Sequence, residues 1–160
     1  MRMGNGVEWA IHVLLLLAWV DDDRPVSGAR LAAGHDLPPA YLYKQLQALV
    51  REGILHSEPG ASGGFRLARQ PADISLMDVV AAVEGREEAF RCTEIRRKGV
   101  GSGCPESFFE HPCAVSTAMG RADIAWRRAL SEQSIADVMA EADEHAPNLG
   151  VVVRGKYARD

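Results

Sequence analysis

Apolar residues recur at helical spacing over most of this chain, and the spacing fails internally in two places: a short paired segment near residue 60 and a long stretch from about Arg86 to Pro112. From Asn5 to Val20 apolar residues cover nearly the whole circumference of a helix, with Asn5 as N-cap and Asp21 to Pro25 as the closing turn, which predicts burial on several sides. Ser27 caps a second helix that carries Leu31, Ala32 and Ala33 and stops at Gly34-His35-Asp36. Pro38 and Pro39 suit the first turn of a third, running to Arg51 with Leu42, Leu46, Leu49 and Val50 facing inward. Two short helices joined by a tight turn, the second with Tyr41, Lys44, Gln45 and Gln47 on its other faces, predict a helix-turn-helix.

Gly53 ends the third helix, after which Ile54 to Ser57 and Phe65 to Ala68 read as two short strands around Pro59-Gly60-Ala61-Ser62-Gly63-Gly64, a β-hairpin wing. A fourth helix opens at Ser75 or Asp73, carries Leu76, Val79, Val80 and Val83, and ends at Gly85. The aperiodic stretch then follows as a loop. From Ala114 helical spacing returns through Val115, Ala118, Met119, Ala122, Ala125, Trp126, Ala129 and Leu130, with a break near Ser131 to Ser134, where Ser134 caps a further helix with Ile135, Val138 and Met139. The expected fold is mainly α with a small β-hairpin wing: a winged helix-turn-helix domain (1–85), a cysteine-containing loop (86–113), a dimerisation helix region (114–145) and an uninformative tail (146–160). A long apolar helix on a small domain already complete in itself needs a partner surface, and a homodimer would suit a palindromic DNA site.

The net charge of −4 runs against a simple nucleic-acid reading, because DNA binders usually present a basic surface. The acids, however, cluster at Asp21 to Asp23 and Glu132 to Glu144, whereas the candidate reading surface carries Lys44, Arg51, Arg66 and Arg69. The longest apolar run, Ile11 to Val20 with His12 inside it, is about half the roughly 20 residues a membrane span requires, and no secretory signal is evident, so a cytoplasmic protein is expected. DNA contacts are expected from Tyr41, Lys44 and Gln45 in the recognition helix, Gln45 being able to pair with adenine, and from Ser62, Gly63, Gly64 and Arg66 in the wing. Lys44 and Gln45 read equally as a solvated helix face. No Ser-His-Asp or Cys-His arrangement can be argued from spacing, which speaks against an enzyme and against a small-molecule substrate.

All three cysteines, Cys92, Cys104 and Cys113, fall in or at the end of the aperiodic loop. An odd count in a reducing compartment argues against a disulfide framework and leaves ligand, redox or structural roles open. Glu8 and His12 share one face of the first helix a turn apart; a carboxylate favoured by the helix dipole with a histidine beside it is the plain reading of that pair.

Val7-Glu8-Trp9-Ala10, Pro39-Ala40-Tyr41-Leu42, Gly63-Gly64-Phe65-Arg66-Leu67, Phe90-Arg91-Cys92-Thr93-Glu94 and Pro112-Cys113-Ala114-Val115, in this order, resemble the Rrf2 family of winged-helix regulators, over roughly Gly6 to Asp143. The resemblance implies a homodimer that binds promoter DNA and carries one iron-sulfur cluster per subunit, commonly with a ligand from the partner's first helix. Eleven residues separate Cys92 from Cys104 and eight separate Cys104 from Cys113, wider gaps than the commoner members show. In this respect the chain is similar to the RsrR branch, which implies a 2Fe-2S cluster held by Cys104 and Cys113 of one subunit and Glu8 and His12 of the other, with Trp9 coupling the signal and Cys92 structural. A three-cysteine cluster (2Fe-2S or 4Fe-4S), a zinc site using Cys104, Cys113 and His111 or His12, a metal-free thiol switch and a regulator that has lost its sensor are the competing readings.

Overall fold

The structure, a computed structural model, describes residues 3–20 and 24–157, so the acid cluster Asp21 to Asp23 and the turn expected there lie outside the described residues. Two compact units are present: Arg2–Arg86 joined by Leu130–Asp160, and Glu87–Ala129.

In the first unit the central element is α1 (Asn5–Val20). Ala10, Val13 and Leu14 are fully buried, and Leu15, Leu16, Leu17 and Trp19 nearly so, because neighbours cover the helix from several directions, as its apolar circumference requires. Those neighbours include α3 (Pro39–Arg51), α4 (Leu76–Glu84), α6 (Ile135–His145) and α7 (Leu149–Tyr157). Burying a leucine side chain contributes about 1.5–3 kcal/mol, and Leu14, Leu31, Leu42, Leu46 and Leu49 all sit in this one core.

The helix-turn-helix pairs α2 (Gly28–Gly34) with α3. Ser27 caps α2, its Oγ accepting from the Arg30 N–H at 3.3 Å, and Pro39 starts α3 where a missing N–H costs nothing. The wing follows as β1 (Leu55–Glu58) and β2 (Gly64–Leu67), antiparallel, with Leu55 opposite Leu67 and Glu58 opposite Gly64. Each strand is displaced by one residue from its expected position. Ile54 closes the end of α3 instead, its N–H donating to Leu49 O at 2.9 Å. The wing is tied back to the start of the helix-turn-helix by paired bonds between Val26 and Phe65, at 2.9 and 2.8 Å. A Cβ on Gly64 would lie 2.3 Å from Val26 O, so that close approach requires glycine.

Both α4 and α6 start from capping boxes, Ser75 with Asp78 and Ser134 with Asp137. The two caps face each other: Leu76 N–H donates to Gln133 O at 2.8 Å and Ile135 N–H to Ile74 O at 2.9 Å. This joint brings the C-terminal part of the chain onto the winged-helix part, where fully buried Ile135 enters the common core. The segment from 146 onward, which showed no pattern in the sequence, includes α7, whose Leu149, Val153 and Tyr157 repeat every four residues and pack on that core. Gly150 and Gly155 dilute its helix signal.

The second unit contains α5 (Ala114–Ser131) almost entirely, preceded by short 3-10 turns at Ile95–Arg97, Gly99–Gly101 and Glu106–Phe109. None of the 18 residues of α5 is buried, and Val115, Met119 and Ile124 stand exposed. No described helix is long and apolar enough to cross a membrane.

Leu14→Ala is expected to lower unfolding free energy by about 2–5 kcal/mol, because the surrounding helices cannot collapse into the cavity. Chemical denaturation measures it, and a loss under about 1 kcal/mol would contradict the central place given to α1.

Candidate functional site

The outer face of α3 is set by the burial of Leu42, Leu46, Ala48 and Leu49 on its inner side. Lys44, Gln47 and Arg51 stand exposed at intervals of three and four residues and so form one row along the helix, with exposed Tyr41 beside its N-terminal end. Gln45 does not join them. It is half-buried, and its carboxamide lies where a Cβ on Gly6 would come within 2.8 Å, against the first turn of α1. Gln47, three residues from Lys44, is the glutamine that stands on this exposed row.

In the wing, Ser62 is exposed at the turn, but the Gly63 N–H already donates to Gly60 O at 3.0 Å and closes it. Gly63 and Gly64 are needed for close backbone approach, a Cβ on Gly63 falling 2.1 Å from Glu58 O, and Gly60 is the turn residue with positive φ, +106°. Arg66 reaches across the hairpin to Glu58, Nε to Oε1 at 2.9 Å, so its charge is partly balanced within the wing. Arg69 leaves the expected basic surface: it donates to Glu52 O at 2.7 Å and Gly53 O at 3.0 Å, satisfying carbonyls at the end of α3.

The loop of the second unit owes its order to charge and one ring. Arg97 donates to both oxygens of Glu106 at 2.8 and 2.5 Å, and Arg96 to both oxygens of Glu94 at 2.5 and 3.0 Å. Both guanidinium groups lie over Phe109, at 4.5 Å for Arg97 and 5.7 Å for Arg96. Arg96 also donates to His111 O at 3.2 Å, linking the segment after Cys92 to the segment before Cys113. The carboxyl groups of Glu94 and Glu106 are held below their usual range, first by these hydrogen bonds.

The cysteines occupy three different environments. Cys92 is exposed and its Sγ accepts from the Glu94 N–H at 3.4 Å; Cys104 is half-buried, its Sγ 4.0 Å from Val100 O. Cys113 is buried in the N-cap position of α5, its carbonyl accepting from the Thr117 N–H at 2.9 Å. The Ser116 N–H, helped by that of Val115 and the Arg96 guanidinium, holds the Cys113 thiol below its ordinary value against the opposing effects of burial and Glu94. Arg96 feels the charge of both Cys113 and Cys92, after the larger influence of Glu94. Nothing in the sequence pattern singled out Arg96; the signal was a basic residue within four positions of a cysteine, which is common.

Glu8 and His12 are both exposed on α1, and among the described residues the Glu8 carboxylate has no hydrogen-bond or ion-pair partner. The His12 ring lies beside that of His35, centroids 5.5 Å apart. Trp9, next to Glu8, is half-buried against the core. Among the described residues no three His, Cys, Asp or Glu side chains converge within one chain to hold a metal. A three-cysteine site and a zinc site on Cys104, Cys113 and His111 or His12 thus lack a preassembled ligand set in the single chain. All three cysteines are free thiols, so no disulfide links any of them.

Comparison with known proteins places this geometry. The family model Rrf2, described as an iron-dependent transcriptional regulator, matches residues 3–141. The Lactococcus lactis protein YffB, assigned as an HTH-type transcriptional regulator, is 37% identical over 150 residues, covering 94% of this chain and 94% of that protein. Among solved structures, IscR of T. potens aligns with a TM-score of 0.67 at 20% identity, covering 91% of each chain. CymR, the global cysteine regulator of B. subtilis, aligns with a TM-score of 0.65 at 19% identity, covering 88% of this chain and 98% of CymR. At these identities the two structures establish the shared fold. The relatives are named as transcriptional regulators rather than enzymes.

In metal-free, reduced protein, the pH midpoint of Cys113 alkylation is expected below the ordinary thiol value of about 8.5. Arg96→Gln should move it upward, read by mass spectrometry of the labelled peptide; an unshifted midpoint in both proteins would refute the account of this thiol.

Proposed function

From the premise that the chain belongs to the Rrf2 family of transcriptional regulators, we propose that it is a cytoplasmic homodimer that binds promoter DNA and senses redox state through one 2Fe-2S cluster per subunit. The ligands are Cys104 and Cys113 of one subunit with Glu8 and His12 of the partner subunit. The observation that supports this reading is the placement of the Cys113 thiol at the N-terminus of α5, near the Arg96 guanidinium, where helix N–H groups and positive charge favour the thiolate form that binds metal. Glu8 and His12 add an exposed carboxylate, without a hydrogen-bond or ion-pair partner among the described residues, and an exposed imidazole, one turn apart, so the donor set comes to the four that such a cluster takes.

When bound, the group supplies a one-electron change at a potential that nitrogen and oxygen ligands raise above the all-cysteine value. The chain's own residues do the rest. Arg96 braces the two ends of the cysteine loop through Glu94 and His111 O and places positive charge beside Cys113. Trp9 is the neighbour through which a displacement of Glu8 enters the core around α1. Exposed Val115 and Met119 on α5 supply an apolar face of the kind a second subunit covers. On DNA, Lys44, Gln47 and Arg51 line the outer face of α3, with Tyr41 at its start and the Ser62 turn and Arg66 in the wing.

Anaerobic purification followed by absorbance and spin-resonance spectra tests the ligand set. Glu8→Ala and His12→Ala should each strip or alter the cluster signal while Cys92→Ala keeps it. Unchanged spectra in the first two would sink the reading, and loss in Cys92→Ala would transfer it to a three-cysteine site.

The DNA face is tested by the salt dependence of binding to duplex DNA. Lys44→Ala should reduce the slope of log K against log salt by about one, and Arg66→Ala by less because Glu58 already balances that charge. An equal or larger effect at Arg66 would show that the Glu58 pair is not kept on DNA.

A further inference from the structure

The first turn of α1 is held from two sides. The Gly4 N–H donates to Glu84 Oε1 at 2.9 Å, at the end of α4, and Gly6 lies against the Gln45 carboxamide of α3. A Cβ on Gly6 would stand 2.8 Å from both Cδ and Nε2 of Gln45 and 3.1 Å from its Oε1, so the whole carboxamide rests on the helix where Gly6 has no side chain. Gln45 is half-buried, follows exposed Lys44 and precedes fully buried Leu46, and so stands at the edge between the outer row of α3 and its packed side. Among the described residues its amide makes no hydrogen bond. The contact is therefore steric, with the side chain acting as a spacer rather than as a polar link.

Glu8 follows Gly6 by two residues on the same turn and stands exposed, while α3 carries Lys44, Gln47 and Arg51 on its outer face. Packed side chains resist compression, so a displacement of the first turn toward α3 is passed on through Gln45. Leu42, Leu46 and Leu49 are fully buried and anchor the inner side of α3 in the core. A push at Gln45, which lies off that seam, tilts the outer row of α3 and leaves the helix in its seat.

We propose that Gln45 is a positioning residue for DNA binding: it fixes the angle of the recognition helix by bearing on the first turn of α1 at Gly6, and it carries displacements of that turn to Lys44 and Gln47. Only the source of such a displacement, a pull on Glu8, rests on the cluster reading; the contact and its effect on α3 do not.

Gly6→Ala tests the contact. Gly6 is a helical residue with φ outside the positive range, so alanine suits its backbone, and beyond its own helix the three atoms nearest the added methyl all belong to the Gln45 carboxamide. The full chain as purified is titrated, by fluorescence anisotropy, against a duplex that the parent protein selects from a random-sequence pool. Gly6→Ala is expected to change Kd about fivefold or more in the parent and less than about twofold on a Gln45→Ala background, where the methyl has nothing to push. Gln45→Met keeps the length of the side chain without the amide, and on that background the Gly6→Ala effect should return. Hydrogen exchange of the α3 amides should follow the same pattern in the absence of DNA. In cluster-bearing protein, Gln45→Ala should keep the cluster spectrum and narrow the difference in Kd between oxidised and reduced forms.

A Gly6→Ala effect that is absent from both Kd and hydrogen exchange, or equal on the parent and Gln45→Ala backgrounds, overturns the proposal. So does its failure to return with Gln45→Met, which would assign the amide to base reading. Changes in Kd that merely track the denaturation midpoints of the variants would make the contact structural and overturn it as well. Equal Kd for the oxidised and reduced parent, with the Gly6 and Gln45 cycle as expected, would sink the redox reading and leave this one standing.

Discussion

A helix apolar around nearly its whole circumference cannot rest on a surface, and α1 imposes that condition on everything else in its unit. The helix-turn-helix and α4 cover only part of it. The remainder is covered by α6 and α7 from the far end of the chain, whose return is directed by the facing caps at Ser75 and Ser134. The DNA-reading domain and the C-terminal helices consequently share one core, and a disturbance at α1 is felt by both.

That sharing gives the candidate functional residues their logic. Glu8 and His12 lie on the exposed strip of the same helix whose opposite sides carry the core, and Trp9 bridges strip and core. On α3 the inward leucines rotate Lys44, Gln47 and Arg51 outward while Gln45 is held against Gly6. The wing is positioned by the Val26 and Phe65 bonds, which need glycine at 64, so its orientation is built into the same packing.

The cysteine loop follows different rules. With few apolar residues to bury, it is ordered by Arg96, Arg97, Glu94 and Glu106 arranged around Phe109, and by Gly101, whose position 1.7 Å from Arg96 O on a notional Cβ admits no other residue. Exposed ion pairs of this kind contribute little stability individually. They do specify geometry, and here they set a guanidinium beside a thiol at a helix N-terminus, where helix N–H groups and cationic charge both favour the thiolate.

Helix limits were legible from residue order because caps and periodicity are local: Ser27, Ser75 and Ser134 mark starts, and Gly85 marks an end. The winged helix, the break between α5 and α6 and the burial of α1 followed from the same patterns. The direction of Gln45, the capture of Arg66 and Arg69 by groups that the hairpin folds against them, the docking of α7 and the shift of the Cys113 thiol did not. Each depends on which groups meet across the fold, and a linear pattern of apolar and polar residues carries spacing along one element, not the identity of what packs against it. By itself the sequence determined the elements other than α7 and the short turns of the cysteine loop, the family likeness and the inventory of thiols, imidazoles and carboxylates. Tertiary structure decided which of those groups are exposed, paired or drawn toward ionisation, because burial and charge neighbours are properties of contacts.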